Sequence, residues 1–402
     1  MPNHPRLAVY CGPFDGGSTA KIAARLANGF VSRGVPTDLL VTASRDPIPE
    51  ATLPGVGVIP MGRMGPLTRV PSMARYLRHT RPAAILTHRI REDVFTLKAA
   101  RLAGLDTPVY VTVHGRMSVK LDHLTGWKGR RRRAEVMHWY PRNRGIVAIS
   151  PDTAADLRAL LGPDAPVTTI PNPIVTPEML ALAQAPITHP WFGPTGTSAE
   201  RPVLVFAGRL EVEKDLGTLL RAFARLRTER DCRLLIIGDG RLRPEVEAER
   251  DALGLGDAVD MPGWAANPYP YLRLANLVIL SSIWDALPTV LIEALALGTP
   301  VVSTECGAGP REILDGGRYG PLVPTGDPEA LAAAMAHTLA DPLPAAILRQ
   351  GGERYEAQRN ADLYLKLILG LDAGGSSEVG GQWSVASGQP DHYPLSTIHY
   401  GN

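Results

Sequence analysis

Two carboxylates, Asp285 and Glu293, stand eight positions apart in the run Asp285-Ala-Leu-Pro-Thr-Val-Leu-Ile-Glu293. The apolar run 277–282 before them reads as a buried parallel strand, and Pro288 is placed to open a helix ending at Gly298. Asp285 then falls in the loop and Glu293 on the helix. Open α/β sheets bind ligands in such loops, at the carboxyl ends of their strands, so two converging acids there suit a polyol gripped by its hydroxyls. A turn-forming Asp and a surface Glu account for either acid alone; together, in this setting, they favour binding. A second strand-like run, 203–208, leads through Gly208 into Arg209 and Lys214, two cations five residues apart. One cation beside a phosphate is worth ~1 kcal/mol in water and ~4 kcal/mol at the effective dielectric of a protein surface. Two in a cleft would stabilise a departing diphosphate as its charge develops. A basic turn before a helix is the plainer account of the same residues.

Weaker signals cluster at the same strand ends. The amides of Thr289, Val290 and Leu291, free at the start of a helix, favour an anion. Gly238-Asp239-Gly240 lets backbone approach a ligand closely, although such a pair of glycines is often only a turn. Gly16 and Gly17 follow the first strand-like run, with Ser18 or Thr19 able to cap the next helix. His114 ends the run 109–113 ahead of Gly115, and His88 holds the comparable place after 83–87, with lower promise. Cys306 has no histidine near it in sequence, which argues against a nucleophile. There is no Asp-x-Asp, so a metal clamp on a diphosphate has no evident ligands.

The elements that must carry these residues follow from periodicity. Short apolar runs alternate with helical stretches at 7–12, 37–43, 83–88, 109–115, 145–150 and 167–172, and again at 203–208, 233–240, 258–264, 277–282 and 300–305. This βα repetition predicts an α/β protein of two doubly wound parallel sheets. The expected division is a first domain at 1–187, a linker at 188–201 rich in Pro, Gly, Thr and Ser, and a second domain at 202–350. One closing helix is expected over 351–370 and a loose tail over 371–402.

Length agrees with two domains, because 402 residues exceed the ~250–300 at which a single core stops growing. Hydrophobic residues at 45%, charged residues at 20% and a net charge of +2 describe an ordinary globular chain and name no partner. Three scattered cysteines, Cys11, Cys232 and Cys306, fit neither a disulfide framework nor a zinc site, which sets a reduced, cytoplasmic location as the expectation. The N-terminal apolar run is too short for a signal peptide, and no stretch of ~18 apolar residues offers a membrane span.

Taken in order, AGRLEVEKD, IIGDG, MPGW, DALPTVLIEALALGTPVVST and CGAGPREIL resemble the retaining glycosyltransferases of family 4, which have the GT-B fold: two facing Rossmann-like domains with the active site in the cleft between them. The first domain joins the resemblance through VTVHG, VAISPDTAADL and IPNPI. What the resemblance implies is transfer of a sugar from a nucleoside-diphosphate sugar to a saccharide or lipid-linked acceptor, without metal or other cofactor. Arg209 and Lys214 stand where the family grips the diphosphate, Glu293 where it holds the ribose, and Asp285 where it carries a glutamate facing the sugar. His114 matches a histidine near the sugar, Gly17 a glycine loop over the phosphates, Gly263-Trp264 the strip beside the base, and Glu312 a glutamate of the Gly-rich loop. Gly208, Gly240, Thr289, Val290 and Leu291 complete the expected nucleotide-binding set. Asp285 is one methylene shorter than the usual acid, Ala286 replaces a glycine and CGAGP breaks a Gly-Gly, which bears on donor preference.

Between Arg116 and Arg144 nine Lys or Arg oppose only Asp122 and Glu135, with Trp127, Trp139 and Tyr140 interleaved. That pattern suits an anionic membrane surface or a phosphorylated lipid acceptor at the inner face of a membrane; a solvated basic face is the alternative. No nucleic-acid recognition module accompanies it. A nicotinamide oxidoreductase would show Gly-x-Gly-x-x-Gly after the first strand, and the glycines here have other spacing. A nucleotide-sugar epimerase, a phosphorylase or a non-catalytic sugar-nucleotide binder remains as an alternative on the same scaffold.

Overall fold

The computed structural model describes residues 5–13, 18–42, 52–61, 66–193 and 201–370. Gly16 and Gly17, residues 194–200 of the expected linker and the expected tail after 370 lie outside the described residues. The first sheet has β1 (Leu7–Pro13), β2 (Thr37–Thr42), β3 (Val56–Pro60), β4 (Ala84–Thr87), β5 (Val109–Val113), β6 (Gly145–Ala148) and β7 (Val167–Thr169), in the order β3-β2-β1-β4-β5-β6-β7. The second has β8 (Val203–Ala207), β9 (Arg233–Ile237), β10 (Val259–Gly263), β11 (Leu277–Leu280), β12 (Val301–Thr304) and β13 (Leu322–Val323), in the order β10-β9-β8-β11-β12-β13. All pairings are parallel, so the two doubly wound sheets expected from the sequence are present. In each sheet the winding reverses beside the first strand, between β1 and β4 and between β8 and β11. That reversal opens a crevice at the carboxyl edge.

Two strands escaped the periodicity. β3 is an edge strand whose residues are only half-buried and include Gly57 and Pro60, so it lacks the apolar run that burial on both faces imposes. β13 has two residues, too few for any pattern. The central strands are the opposite case: Leu7, Val9, Leu86, Val111, Val205, Leu235, Val278 and Ile279 are fully buried.

The closing helix expected over 351–370 is two helices, Ala345–Glu353 and Ala357–Leu369. The break has a backbone cause. Tyr355 O accepts from both Ile174 N and Val175 N at 2.9 Å, and Ala357 N donates to Val175 O at 2.8 Å, so this stretch bonds to the chain passing between the lobes instead of continuing a helix. Before the break, Gly352 lies against Ala296 of the second lobe, where a Cβ would come within 2.8 Å of its backbone N. Beyond it, Ala361, Tyr364 and Leu365 join the core of the first lobe, and Gly29 allows its helix to touch Ala361.

Candidate active site

The second lobe brings the predicted charges together by short steps of backbone. After β8 the chain passes Gly208 and Arg209 into a tight turn, Val212–Lys214, and Asp215 at φ 44° caps the helix Leu216–Glu229 by accepting from Thr218 N. Ser281 Oγ donates to Lys214 O at 2.7 Å and Ile283 N to Glu213 O at 2.9 Å, which fastens this turn to the end of β11. Lys214 Nζ consequently reaches Asp285 Oδ2 at 2.5 Å, both side chains largely shielded from solvent. Arg209 is 76% exposed and pairs with Glu213 at 3.1 Å.

The helix Thr289–Leu297 begins after Pro288 and ends at Gly298 with φ 81°, as the sequence predicts. Its first turn offers less than expected, because Leu291 N already donates to Pro288 O at 3.1 Å; the open amides for an anion are then those of Thr289 and Val290. Glu293 sits one turn further in. Burial raises its pKa above the ordinary carboxylate value, while Arg25, Lys21 and Thr289 act against that rise. Arg25 and Lys21 belong to the helix Ser18–Ser32 of the first lobe, so the two carboxyl edges face each other across Glu293. A second contact spans the same gap. Burial raises the pKa of Glu312 to about 7, with Arg354 and Ser150 of the first lobe acting against that rise.

The glycines at this edge serve backbone packing. A Cβ on Gly238 would lie 1.9 Å from Gly208 O, and one on Gly240 2.4 Å from Leu210 O. The close approach allowed by Gly238 and Gly240 is therefore to the 208–210 loop of the chain itself. Gly309 similarly admits Ala286 O, whose contact with an added Cβ would be 2.5 Å, which packs the 306–310 loop on the loop carrying Asp285.

On the first lobe His114 and His88 meet at the ends of β5 and β4, Nε2 to Nδ1 at 3.1 Å. Burial lowers both pKa values, that of His88 to about 3 and that of His114 well below its ordinary value, with Lys120 and Arg89 adding to the effect at His114. Lys120 Nζ donates to His114 O at 2.7 Å. Trp264, after β10, is 74% exposed.

A family model described as glycosyl transferases group 1 matches residues 201–341, and one described as glycosyltransferase family 4 matches residues 19–177. Each lobe is thus matched as a unit of the same kind of protein. The chain belongs to the family 4 type of glycosyltransferases. It is similar to the lipopolysaccharide core biosynthesis glycosyltransferase LpsE of Rhizobium meliloti, 29% identical over 57% of this chain and 65% of that protein. The chain spans less than two thirds of the length of the first curated relatives it matches. Among solved structures, HepE of Anabaena in complex with UDP superposes with a TM-score of 0.70 at 16% identity, over 91% of this chain and all of that one. The lipopolysaccharide outer core galactosyltransferase WaaB in its apo form gives 0.69 at 18%, over 91% and 99%. The fold is GT-B.

In this member of the family the structure unites Lys214 with Asp285 and sets Glu293 on the adjoining helix, while Arg209 lies exposed beside Glu213. It sets Cys306 beneath the loop, its carbonyl accepting from Asp285 N at 3.3 Å and its thiol pKa raised by burial. Sequence reasoning missed Lys21 and Arg25, one helical turn apart after the Gly16-Gly17 pair. That i, i+4 spacing was a readable signal. It also missed Glu92, buried between Arg91 at 3.0 Å and Arg69 at 3.4 Å beneath Gly12, which no local pattern announces.

Proposed function

We propose that the chain moves a sugar, with retention of configuration, from a nucleoside-diphosphate sugar to a saccharide or lipid-linked acceptor, in the assembly of a surface polysaccharide or lipopolysaccharide. The observation that carries this reading is the Lys214–Asp285 pair at 2.5 Å on the edge where β8 and β11 diverge, with Glu293 on the adjoining helix. An ammonium there serves a diphosphate, and two acids serve the hydroxyls of ribose and sugar. In the step we envisage, the bond from the anomeric carbon to the diphosphate oxygen breaks as the acceptor oxygen attacks from the same face. The acceptor proton passes to the departing phosphate oxygen, and Lys214 and Arg209 hold the charge that develops. Fixed cations fill the role a divalent ion takes elsewhere, so transfer should persist in chelator. The UDP complex of HepE makes uridine diphosphate sugars the first donors to try.

Screening nucleotide sugars by thermal shift identifies the donor, because a ligand that binds only the native state raises the melting temperature. With that donor, nucleotide release should depend on an acceptor, survive EDTA and fall by at least about a hundredfold in Arg209→Ala. Asp285→Glu should keep the fold and change turnover with at least one donor. Unchanged rates with every donor would remove Asp285 from the sugar site.

We also propose a peripheral, cytoplasmic-face membrane location through residues 116–144. On the helix Gly126–Trp139 the exposed positions 127, 130, 131, 134, 137 and 138 share one side, with the exposed Lys128 and Arg133 flanking it, so Arg130 and Arg131 lie on one face with Trp127, 61% exposed, and Met137. Among the described residues no single helix is long and apolar enough to cross a membrane. Flotation with anionic liposomes tests the surface: salt-sensitive binding that weakens in Arg130→Gln/Arg131→Gln is expected, and binding indifferent to both would end it.

A further inference from the structure

The ends of β4 and β5 carry a polar line that joins His114, matched to a histidine near the sugar, to His88, which has no part in the transfer step above. His88 Nδ1 and His114 Nε2 are 3.1 Å apart, with ring centroids 5.3 Å apart and planes 26° from parallel, so the rings meet edge to edge. His88 is 3% exposed; its Nε2, like His114 Nδ1 and Asn172 Oδ1, is buried without a partner at hydrogen-bond geometry. Burial and the neighbouring cations Arg89 and Lys120 keep both rings neutral. A neutral imidazole has one N–H and one bare nitrogen. The 3.1 Å contact is then a single N–H···N bond, and the tautomer of one ring dictates that of the other.

Two arrangements satisfy the contact. If His114 donates from Nε2, His88 must carry its proton on Nε2, a buried N–H with nothing to receive it. If His88 donates from Nδ1, its Nε2 is a bare acceptor and His114 carries its proton on Nδ1, with Asn172 as the neighbouring acceptor. A buried donor without a partner is rarer than a buried acceptor without one. The second arrangement also engages the otherwise orphaned Asn172 oxygen.

We propose that His88 is a positioning residue, whose Nδ1–H holds His114 as the Nδ1–H tautomer directed at Asn172. This ties the floor of the cleft to the crossings between the lobes. Asn172 O accepts from Asn360 Nδ2 at 3.2 Å in the returning helix, and two residues on Ile174 N meets Tyr355 O at 2.9 Å. A His114 ring that turned over would lose the Asn172 side chain, its link to the segment that makes these crossings. Its consequence for turnover rests on the transfer reading above; the tautomers do not.

Nitrogen-15 spectra of histidine-labelled protein at neutral pH, assigned by the signals lost in His88→Asn and His114→Asn, should show both rings protonated at Nδ1 and bare at Nε2. An Nε2–H on His88, or an imidazolium on either ring, overturns the assignment. In kinetics, His88→Leu should lower kcat about tenfold with the donor KM within about twofold, because the ring of His114 loses its donor. His88→Asn places an amide N–H where Nδ1 stood and should recover most of the rate. Full activity in His88→Leu, or equal loss in both variants with unchanged melting curves, overturns the role. Should His88→Leu fail to fold, the spectra and the Asn variant decide. A wild-type protein without transfer activity would sink the proposed function and leave the spectra to judge the histidines.

Discussion

At the carboxyl edge of the second sheet, backbone lies on backbone: Gly238 and Gly240 admit the 208–210 loop and Gly309 admits Ala286 O, so Lys214 and Asp285 meet on rigid turns. At the facing edge of the first sheet, buried polar side chains hold the ends of the strands. His88 bonds to His114, Tyr140 Oη donates to Asp93 Oδ2 at 2.6 Å, and Glu92 lies between Arg69 and Arg91. Backbone packing that needs glycine leaves a readable motif, whereas a buried polar pair is met by many residue types and leaves none. The contrast fits the function proposed above, in which the second lobe would grip the diphosphate common to all donors and the first would receive the acceptor.

Removing Lys214 tests the rigid side most severely. Lys214→Ala should cost a hundred- to a thousandfold in kcat, about 3–4 kcal/mol, since it deletes the cation facing the leaving group and strands Asp285; circular dichroism should show the fold intact. Next comes a pair of glycines. Gly238→Ala, at φ 140° with a Cβ 1.9 Å from Gly208 O, should lower stability by about 3 kcal/mol in urea. Gly115→Ala, at φ 106° with open space around it, should cost only about 1 kcal/mol of backbone strain. Equal losses would erase the distinction between the edges.

Asp93 tests the other side through pH. Burial raises its pKa to about 7, so the folded chain keeps a proton that the unfolded chain gives up nearer its ordinary value of 3.8. Its contribution is complete below that ordinary value and is lost as pH rises through about 7. In urea unfolding from pH 5 to pH 8 the stability difference between the wild type and Asp93→Asn should therefore fall by about 2–3 kcal/mol, a comparison that cancels the opposing titration of His88 and His114 and the parallel one of Glu312. The smallest effect belongs to Glu293→Gln, expected to raise the donor KM about tenfold, about 1.4 kcal/mol, with little change in kcat, because a ribose contact made before and during reaction binds both states alike.

How much was legible differed by element. The strand, loop and helix around Asp285 and Glu293 were readable because Pro288, Gly298 and an apolar run each have a local meaning. β3 was not, because an edge strand is half-exposed and its apolar content is diluted. The break at Arg354 to Glu356 was not, because its cause is the amides of Ile174 and Val175, far off in sequence. Lys21 and Arg25 were visible as a helical pair, but their target across the gap was not.

By itself the sequence determined two parallel sheets, the ends of the helix Thr289–Leu297, the charges at the strand ends and the motif order that marks the family, because each follows from spacing along one short stretch. Only the tertiary structure decided that Lys214 reaches Asp285, that His88 joins His114, that Glu293 faces the opposite lobe and that the last helix returns to the first. Those are contacts between residues tens to hundreds of positions apart, set by how sheets and crossings pack, and local spacing carries no record of them.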